Sequence, residues 1–166
     1  MAPRAVTGKT LGSPLGMYSH GMIAGPGEIV VVAGQVGMRE GQVVGAGDVG
    51  AQTRQALANV EAVLKAAGTS MRDVVRFQTF LTSAADIEGF MSARRAAFPA
   101  YFPDGVFPPN TLLVVSRLVH PELLVEIEAM AVKPAAAAPA ARATAPARAA
   151  SRKAKPAGRR PARRRR

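Results

Sequence analysis

The sequence predicts one α+β domain, in which two helices pack on one face of a mixed β-sheet. Three observations lead to this class. Short segments of β-branched or alternating apolar residues predict strands, and two longer segments repeat apolar residues at helical spacing. These segments follow one another as two or three strands, a helix, a strand, a helix and two strands, with no internal repeat.

Composition divides the chain into a flexible N-terminal extension (1–16), the domain (17–133) and a tail (134–166). The formal net charge is +11, but residues 1–133 contain 11 basic and 11 acidic residues. The whole excess therefore belongs to the tail. Its bases are Arg142, Arg148, Arg152, Lys153, Lys155, Arg159, Arg160, Arg163, Arg164, Arg165 and Arg166.

The tail contains 14 Ala and 5 Pro in 33 residues, and no Val, Ile, Leu, Met or aromatic residue. It cannot bury enough apolar surface to offset the entropy of ordering, so we expect it to be disordered. Its charge predicts non-specific binding of nucleic acid or another polyanion, without base stacking because it lacks aromatic residues. The alternative is a solubilising extension that has no partner.

The first part of the domain predicts strands separated by turns. An apolar segment at residues 17–24 ends at the turn sequence GPG, and residues 28–36 form a β-branched run typical of a strand buried on both faces. The dipeptide EG at 40–41 predicts a hairpin turn that leads to a short strand at 42–44.

The first helix is predicted to begin after Asp48, a favourable N-cap, and to end at Gly68, where a left-handed residue is needed. Its apolar face is formed by residues at helical spacing, namely Leu57, Val60, Leu64 and Ala67. The next segment, 73–82, alternates and predicts a strand. The residues predicted on one face of that strand are Val75, Phe77, Thr79 and Leu81.

The second helix is predicted to follow a capping box formed by Ser83 and Asp86, and to end at Pro99. The residues that mark it by their spacing are Ile87, Phe90, Met91, Arg94 and Phe98. The pair Arg94-Arg95 is interpreted most simply as part of its exposed face. A loop at 99–109 then leads to the last two strands, 110–118 and 123–132.

Both faces of the strand at 110–118 carry aliphatic residues. They are Leu112, Val114 and Leu118 on one face, and Leu113 and Val115 on the other. Two helices cover only one side of a sheet, so self-association is expected to cover the other side. The alternative is that these are scattered exposed aliphatic residues.

Several classes of site and location are excluded or disfavoured. The absence of Cys removes disulfides, thiolate metal sites and thiol nucleophiles, and neither His20 nor His120 has the spaced partners that a metal needs. No phosphate-binding, dinucleotide-binding or serine-hydrolase motif occurs, so no cofactor is expected. Neither a secretory signal nor a membrane span is visible, and a soluble cytoplasmic protein is the expectation.

Several motifs, in order, resemble those of the Rid (YjgF/YER057c/UK-type) family over residues 17–132. They are the sequences YSHG at 18–21, VAGQ at 32–35, QTRQALANV at 52–60 followed by AAG at 66–68, DVV at 73–75 and VEIEAMA at 125–131. The resemblance implies a chorismate-mutase-like fold and a homotrimer with small-metabolite clefts between subunits. It also implies hydrolysis of enamines and imines such as 2-aminoacrylate, although members without this activity exist and older descriptions include ribonuclease activity.

The resemblance places the ligand cleft near Tyr18, Ala33, Gly34, Gln35, Met91, Asn110 and Glu126. Glu126 matches the glutamate that positions water, if the turn at 119–124 holds one extra residue. Asn110 stands where family deaminases carry the arginine that grips the substrate carboxylate, and an amide brings no charge. Ala33 and Met91 replace a serine and an asparagine of many deaminases.

These departures predict an altered or lost deaminase activity and a neutral or weakly polar ligand. The alternative is a non-catalytic metabolite-binding or scaffold trimer whose tail binds nucleic acid. Without the family match, Glu126 and Glu128, about 7 Å apart on one side of a strand, would indicate a solvated face.

Overall fold

The computed structural model describes residues 2–135, and within them the helices and strands follow the predicted order. The strands are β1 (Arg4–Val6), β2 (Gly21–Ile23), β3 (Gly27–Val36), β4 (Met38–Arg39), β5 (Gln42–Val43), β6 (Val74–Leu81), β7 (Asn110–Val114) and β8 (Val125–Pro134). The helices are α1 (Val49–Ala66) and α2 (Ile87–Tyr101). Short 3-10 turns at Met71–Asp73 and Ala84–Asp86 precede β6 and α2.

The central sheet has the strand order β3-β8-β6-β7. β6 and β7 are parallel, as strands joined through a helix commonly are, and the other two pairings are antiparallel. Helix α1 packs on β3, β8 and α2, so that the hydrophobic core lies between the helices and one face of the sheet. The predicted α+β class with a mixed sheet is confirmed.

Local turn and cap chemistry agrees with the sequence. The Asp48 carboxylate accepts a hydrogen bond from the Ala51 N–H at 2.9 Å, and Gly68 follows the end of α1 with a left-handed φ of +74°. Glu40 and Gly41 both have positive φ, which matches the twist of the two-residue hairpin that joins β4 to β5. Helix α1 therefore begins and ends where its capping residues predict.

The register of β6 differs from the prediction because the strand pairing shifts between Val74 and Arg76. Phe77, Thr79 and Leu81 face the core as expected, but Val74 joins them in place of Val75. A bulge adds one residue to a strand and moves every earlier side chain to the other face. A prediction that assumes strict alternation of buried and exposed residues does not include this bulge.

Pro99 does not end the second helix, which continues to Tyr101. A proline removes one backbone donor, but the N–H of Phe102 still bonds the carbonyl of Phe98 at 2.8 Å. The start of α2 also differs from the predicted capping box. The Ser83 hydroxyl accepts a hydrogen bond from the Ala85 N–H, which belongs to the 3-10 turn that precedes α2. Close to a helix end, the loss of one hydrogen bond is tolerated.

The strand predicted to be buried on both faces, β3, is buried on one. Val32 is 1% exposed, whereas Ile29 and Val31 are 68% and 69% exposed on the face that the helices do not cover. The last two strands are also displaced from their predicted limits. β7 ends at Val114 instead of residue 118, and β8 runs from Val125 to Pro134.

The predicted boundaries fit the structure only in part. Residues 1–16 were expected to be a flexible extension, but Arg4–Val6 pairs with Gly21–Ile23 as an antiparallel ribbon. The predicted tail, apart from Pro134 and Ala135, lies outside the described residues. No helix within residues 2–135 is long and apolar enough to cross a membrane.

Candidate functional site

The predicted cleft residues form two groups on opposite faces of the central sheet. Gly34 and Glu126 meet on the face that the helices leave open, and Ala33 lines a shallow pocket on the same face. Asn110 points to the helix-covered face, while Met91 lies on α2 beside the chain segment that contains Tyr18. One chain therefore does not gather these residues around one ligand.

Glu126 lies directly against β3, and Gly34 makes room for it. A Cβ atom at Gly34 would stand 1.7 Å from Oε1 of Glu126, so no residue with a side chain fits there without displacing the carboxylate. The pairing of β3 with β8 shifts register between Val32 and Gln35, and the Gln35 amide donates to the Ala33 carbonyl at 3.1 Å. Gly34 thus leaves the space that the Glu126 side chain occupies, and a larger residue would have to displace it.

Two effects raise the pKa of Glu126 above its ordinary value. Partial burial is the larger, because it penalises the ionised form, and repulsion from Glu128 adds to it. Glu128 lies on the same side of β8, two residues on. A carboxyl group with a raised pKa is suited to exchanging a proton with a bound water molecule.

Gln52, in the helical motif, holds the start of β8 in place. Its buried amide donates to the Glu122 carbonyl at 2.8 Å and accepts from the Leu124 N–H at 2.8 Å. These bonds tie the turn before β8 to α1, and Glu126 follows two residues later. Gln52 therefore positions Glu126 through the backbone.

Asn110 occupies the first position of β7, beside the buried Thr79. The Thr79 hydroxyl donates to Oδ1 of Asn110 at 2.9 Å. Both residues line a cavity of about 10 Å³ whose other walls include Arg94 and Phe98. A cavity of this volume holds one water molecule at most. The Asn110 side chain is thus held against Thr79 at the margin of the packed interior, and the residue is partly exposed.

Arg94 is buried, and the prediction that it lies on the exposed face of α2 is wrong. Only 4% of the residue is exposed, and its guanidinium donates to the Met17 carbonyl at 2.6 Å and lies 4.4 Å from the centre of the Phe98 ring. Burial lowers the pKa of Arg94 to about 10, which still leaves it charged at neutral pH. Arg95 is exposed as predicted and pairs with Glu88 at 2.5 Å.

The helical spacing contained the information that places Arg94 inside. Arg94 lies four residues after Phe90 and four before Phe98, and both phenylalanines are buried. Its charge favoured an exposed assignment, since arginine is seldom fully buried. The helical repeat determines where Arg94 lies, because residues four apart in a helix share one face and both phenylalanines lie on the buried face.

A second, larger cavity of about 150 Å³ lies between α2 and the segment before Tyr18. Its lining residues are Leu15, Gly16, Met17, Met91, Arg94 and Arg95. Arg94 is the residue that this cavity shares with the small cavity around Asn110. The hydroxyl of Tyr18 accepts from the Leu15 N–H at 3.4 Å and the ring meets His20 edge-on.

The open face of the sheet exposes aliphatic side chains from both of its edge strands. Ile29 and Val31 on β3 are accompanied by Leu113 on β7, which is 43% exposed. Glu126 and Glu128 lie between them on β8. In the part of the chain that the structure describes, no three His, Asp or Glu side chains come together as a metal site would require.

Comparison with known proteins gives consistent results. Residues 9–133 match the family model described as endoribonuclease L-PSP. A RutC family protein of Pyrococcus horikoshii is 35% identical over 122 residues, covering 72% of this chain and 90% of that protein. A 2-iminobutanoate/2-iminopropanoate deaminase of Salmonella typhimurium is 33% identical over 121 residues, covering 72% and 89%. A solved structure of a Rid family protein of unknown function from Yersinia pestis has a TM-score of 0.71 at 34% identity, covering 80% of this chain and 100% of that chain.

Proposed function

The chain belongs to the Rid (YjgF/YER057c/UK-type) family, and from this premise we propose that it hydrolyses enamines or imines in clefts of a homotrimer. The distribution of the predicted cleft residues supports this assembly. Glu126 lies on the open face of the sheet and Asn110 on the covered face, so a cleft that contains both takes one of them from a second copy. The exposed Ile29 and Val31 give that second copy an apolar surface to cover.

The close contact between Glu126 and Gly34 is the observation that carries the catalytic proposal. In this contact, a carboxyl group with a raised pKa lies beside β3 at Gly34, which belongs to the sequence VAGQ at 32–35. Glu126 orients a water molecule and accepts one of its protons as the water oxygen bonds to the imine carbon, and this proton passes to the imine nitrogen to give a carbinolamine. The carbinolamine hydroxyl then loses its proton, through Glu126, to the nitrogen as the carbon–nitrogen bond breaks, and a ketone or keto acid and ammonia are released.

The replaced residues modify this activity. Asn110 brings no charge and its oxygen accepts the hydrogen bond from Thr79, while Met91 adds an apolar wall to the larger cavity. On the open face of the sheet, Ala33 lacks the hydroxyl of the serine that many deaminases carry at this position. We therefore expect a substrate preference that differs from that of the Salmonella typhimurium deaminase. No cofactor is part of the proposal, and the cytoplasm is the compartment in which we expect the protein.

An ammonia-release assay on a panel of enzymatically generated imines tests the proposal. The full chain is expected to accelerate ammonia release from at least one imine, and Glu126→Gln to reduce that rate by about 10²- to 10⁴-fold. Release at the uncatalysed rate from every imine would refute hydrolysis. Asn110→Arg adds a second comparison, since activity on 2-aminoacrylate in this variant alone would show that the natural chain is not a standard deaminase.

The second candidate is a non-catalytic metabolite-binding or scaffold trimer whose tail binds nucleic acid. The distribution of charge along the chain favours this second candidate, because all of the net positive charge lies in residues 134–166. A trimer would present three such tails to one polyanion and gain affinity by multivalency.

Salt dependence tests the tail proposal. If six phosphates are neutralised per tail, log K for duplex DNA should fall with log salt at a slope of about −5. Deletion of residues 136–166 should abolish that binding, and the domain, whose charges balance, serves as the control. Binding that survives the deletion would contradict a role for the tail.

A further inference from the structure

Arg94 is a buried cation whose charge no neighbouring acid balances. Within residues 2–135, no carboxylate forms an ion pair with it, whereas the adjacent Arg95 pairs with Glu88. Its contacts are the Met17 carbonyl and the face of the Phe98 ring. Charged side chains that are removed from water are normally paired, so this position calls for a counter-charge.

Arg94 forms part of the wall of a cavity that can admit a small molecule. It lines the larger cavity of about 150 Å³ as well as the small cavity that contains Asn110, and it is the residue that the two share. Met17 and Met91 are apolar residues of the larger cavity, and apolar surroundings strengthen an ion pair.

We propose that Arg94 binds the carboxylate of the metabolite in the cleft, and so supplies the positive charge that Asn110 lacks. The inference rests on the proposed function in one respect, namely that the larger cavity, between α2 and residues 15–17, is part of the ligand cleft. A planar guanidinium fits a carboxylate through two parallel hydrogen bonds, and an arginine on α2 can present this group as well as one on β7.

This proposal replaces the expectation of a neutral ligand. That expectation depends on Asn110, Ala33 and Met91, with Arg94 assigned to the exposed face of the helix. Because Arg94 is buried beside Asn110, the site keeps a fixed positive charge, although its source has moved from a strand to a helix. The ligand class is consequently a small keto acid or imino acid.

The test compares two probes that differ only in charge, pyruvate and its neutral amide, pyruvamide. Titration calorimetry on the full chain is expected to show tighter binding of pyruvate. Arg94→Gln should weaken pyruvate by roughly tenfold or more and leave pyruvamide within about twofold, because a hydrogen-bonded charge pair is lost. Arg39→Gln is the control, since this exposed arginine lies on β4 and lines neither cavity, and it should change neither affinity.

A purely structural role for Arg94 predicts a different result. If the guanidinium only holds residues 15–17 through the Met17 carbonyl, its loss would weaken both probes equally, and that outcome overturns the proposal. Arg94→Lys keeps the charge without the fork and should retain part of the preference for pyruvate, even if the glutamine variant does not fold. A wild-type chain that fails to prefer pyruvate over pyruvamide also overturns it.

The same measurements separate this inference from the proposed hydrolysis. A preference for pyruvate that depends on Arg94, together with no ammonia release from any imine, would refute hydrolysis and leave Arg94 as the carboxylate-binding residue. Ammonia release without that preference would refute the role of Arg94 alone.

Discussion

The two faces of the central sheet are built from the same strands and differ in almost every other respect. On the covered face, Phe77, Leu81 and Ile127 are at most 2% exposed and pack against the two helices. On the open face, Ile29 and Val31 are more than two-thirds exposed, and Glu126 and Glu128 lie between the edge strands. The covered face stabilises the chain, whereas the open face carries the groups that we assign to assembly and catalysis.

The largest effect is expected from a charge placed on the open face. Val31→Asp puts a carboxylate where we propose that a second copy packs, and burying an unpaired ion costs on the order of several kcal/mol. Light scattering should show a fall from three chains to one, with loss of ammonia release because each cleft needs two copies. The control is Val119→Asp, which changes a valine that is 82% exposed outside the sheet. A trimer that persists in Val31→Asp would place the interface elsewhere.

A cavity in the covered face should destabilise the chain without altering its assembly in the folded state. Phe77→Ala removes a ring that is 2% exposed and packs against Phe98 and Phe102, at a cost of about 3–5 kcal/mol in the free energy of unfolding. Urea denaturation measures it. Thr111→Ala, on the open face of β7, is the comparison and should change stability by less than about 0.5 kcal/mol. Similar losses in both variants would mean that the two faces do not differ as described.

The amide of Gln52 links the two faces, because it lies on α1 and holds the turn that leads to Glu126. Gln52→Leu leaves the Glu122 carbonyl and the Leu124 N–H without their partner, and should cost about 2–4 kcal/mol. The rate of ammonia release should fall even at temperatures where the variant is folded. Gln55→Leu loses only a bond to the Asn59 side chain and should cost less than about 1 kcal/mol. An equal cost at both sites would argue against a special role for Gln52.

The smallest effect concerns the two acids of the open face. The pKa of Glu126 is raised by burial and by Glu128, so the ionised form that accepts the proton is populated only at higher pH than for an ordinary glutamate. Activity should rise with pH through that raised pKa. Glu128→Gln removes one of the two causes and should move the acid limb of the pH–rate profile to lower pH.

Glu126 stays partly buried in the Glu128→Gln variant, so the acid limb of the pH–rate profile should still lie at higher pH than for an ordinary glutamate. Glu122→Gln removes an acid from the exposed turn before β8 and should leave the limb in place. A limb that does not move in Glu128→Gln would indicate that another group controls the rate.

Much of the fold could be predicted from the sequence because its signals are local. The cap at Asp48, the left-handed residue at Gly68 and the hairpin at 40–41 depend on neighbouring backbone groups, and all three were confirmed. Less of the candidate site could be predicted from the sequence. Motifs identified Gly34 and Glu126, but only the structure shows that one makes room for the other.

The two errors in assigning burial have different physical origins. Strict alternation puts Val75 on the core face because it ignores the register shift between Val74 and Arg76, which arises from pairing with the distant strand β8. The exposed assignment of Arg94 gives its charge more weight than its position between Phe90 and Phe98. The first error needs the tertiary structure to correct it, whereas the helical spacing already contains the correction of the second.

By itself, the sequence determined the α+β class, the order of the elements, the family and the confinement of the net charge to residues 134–166. These properties follow from periodicity, turn chemistry and composition, which act over a few residues. Only the tertiary structure decided which face of the sheet stays open, that Glu126 rests against Gly34, and that a buried guanidinium from α2 stands beside Asn110. Such contacts join residues far apart in the chain, and their energies depend on desolvation and close packing that no local pattern records.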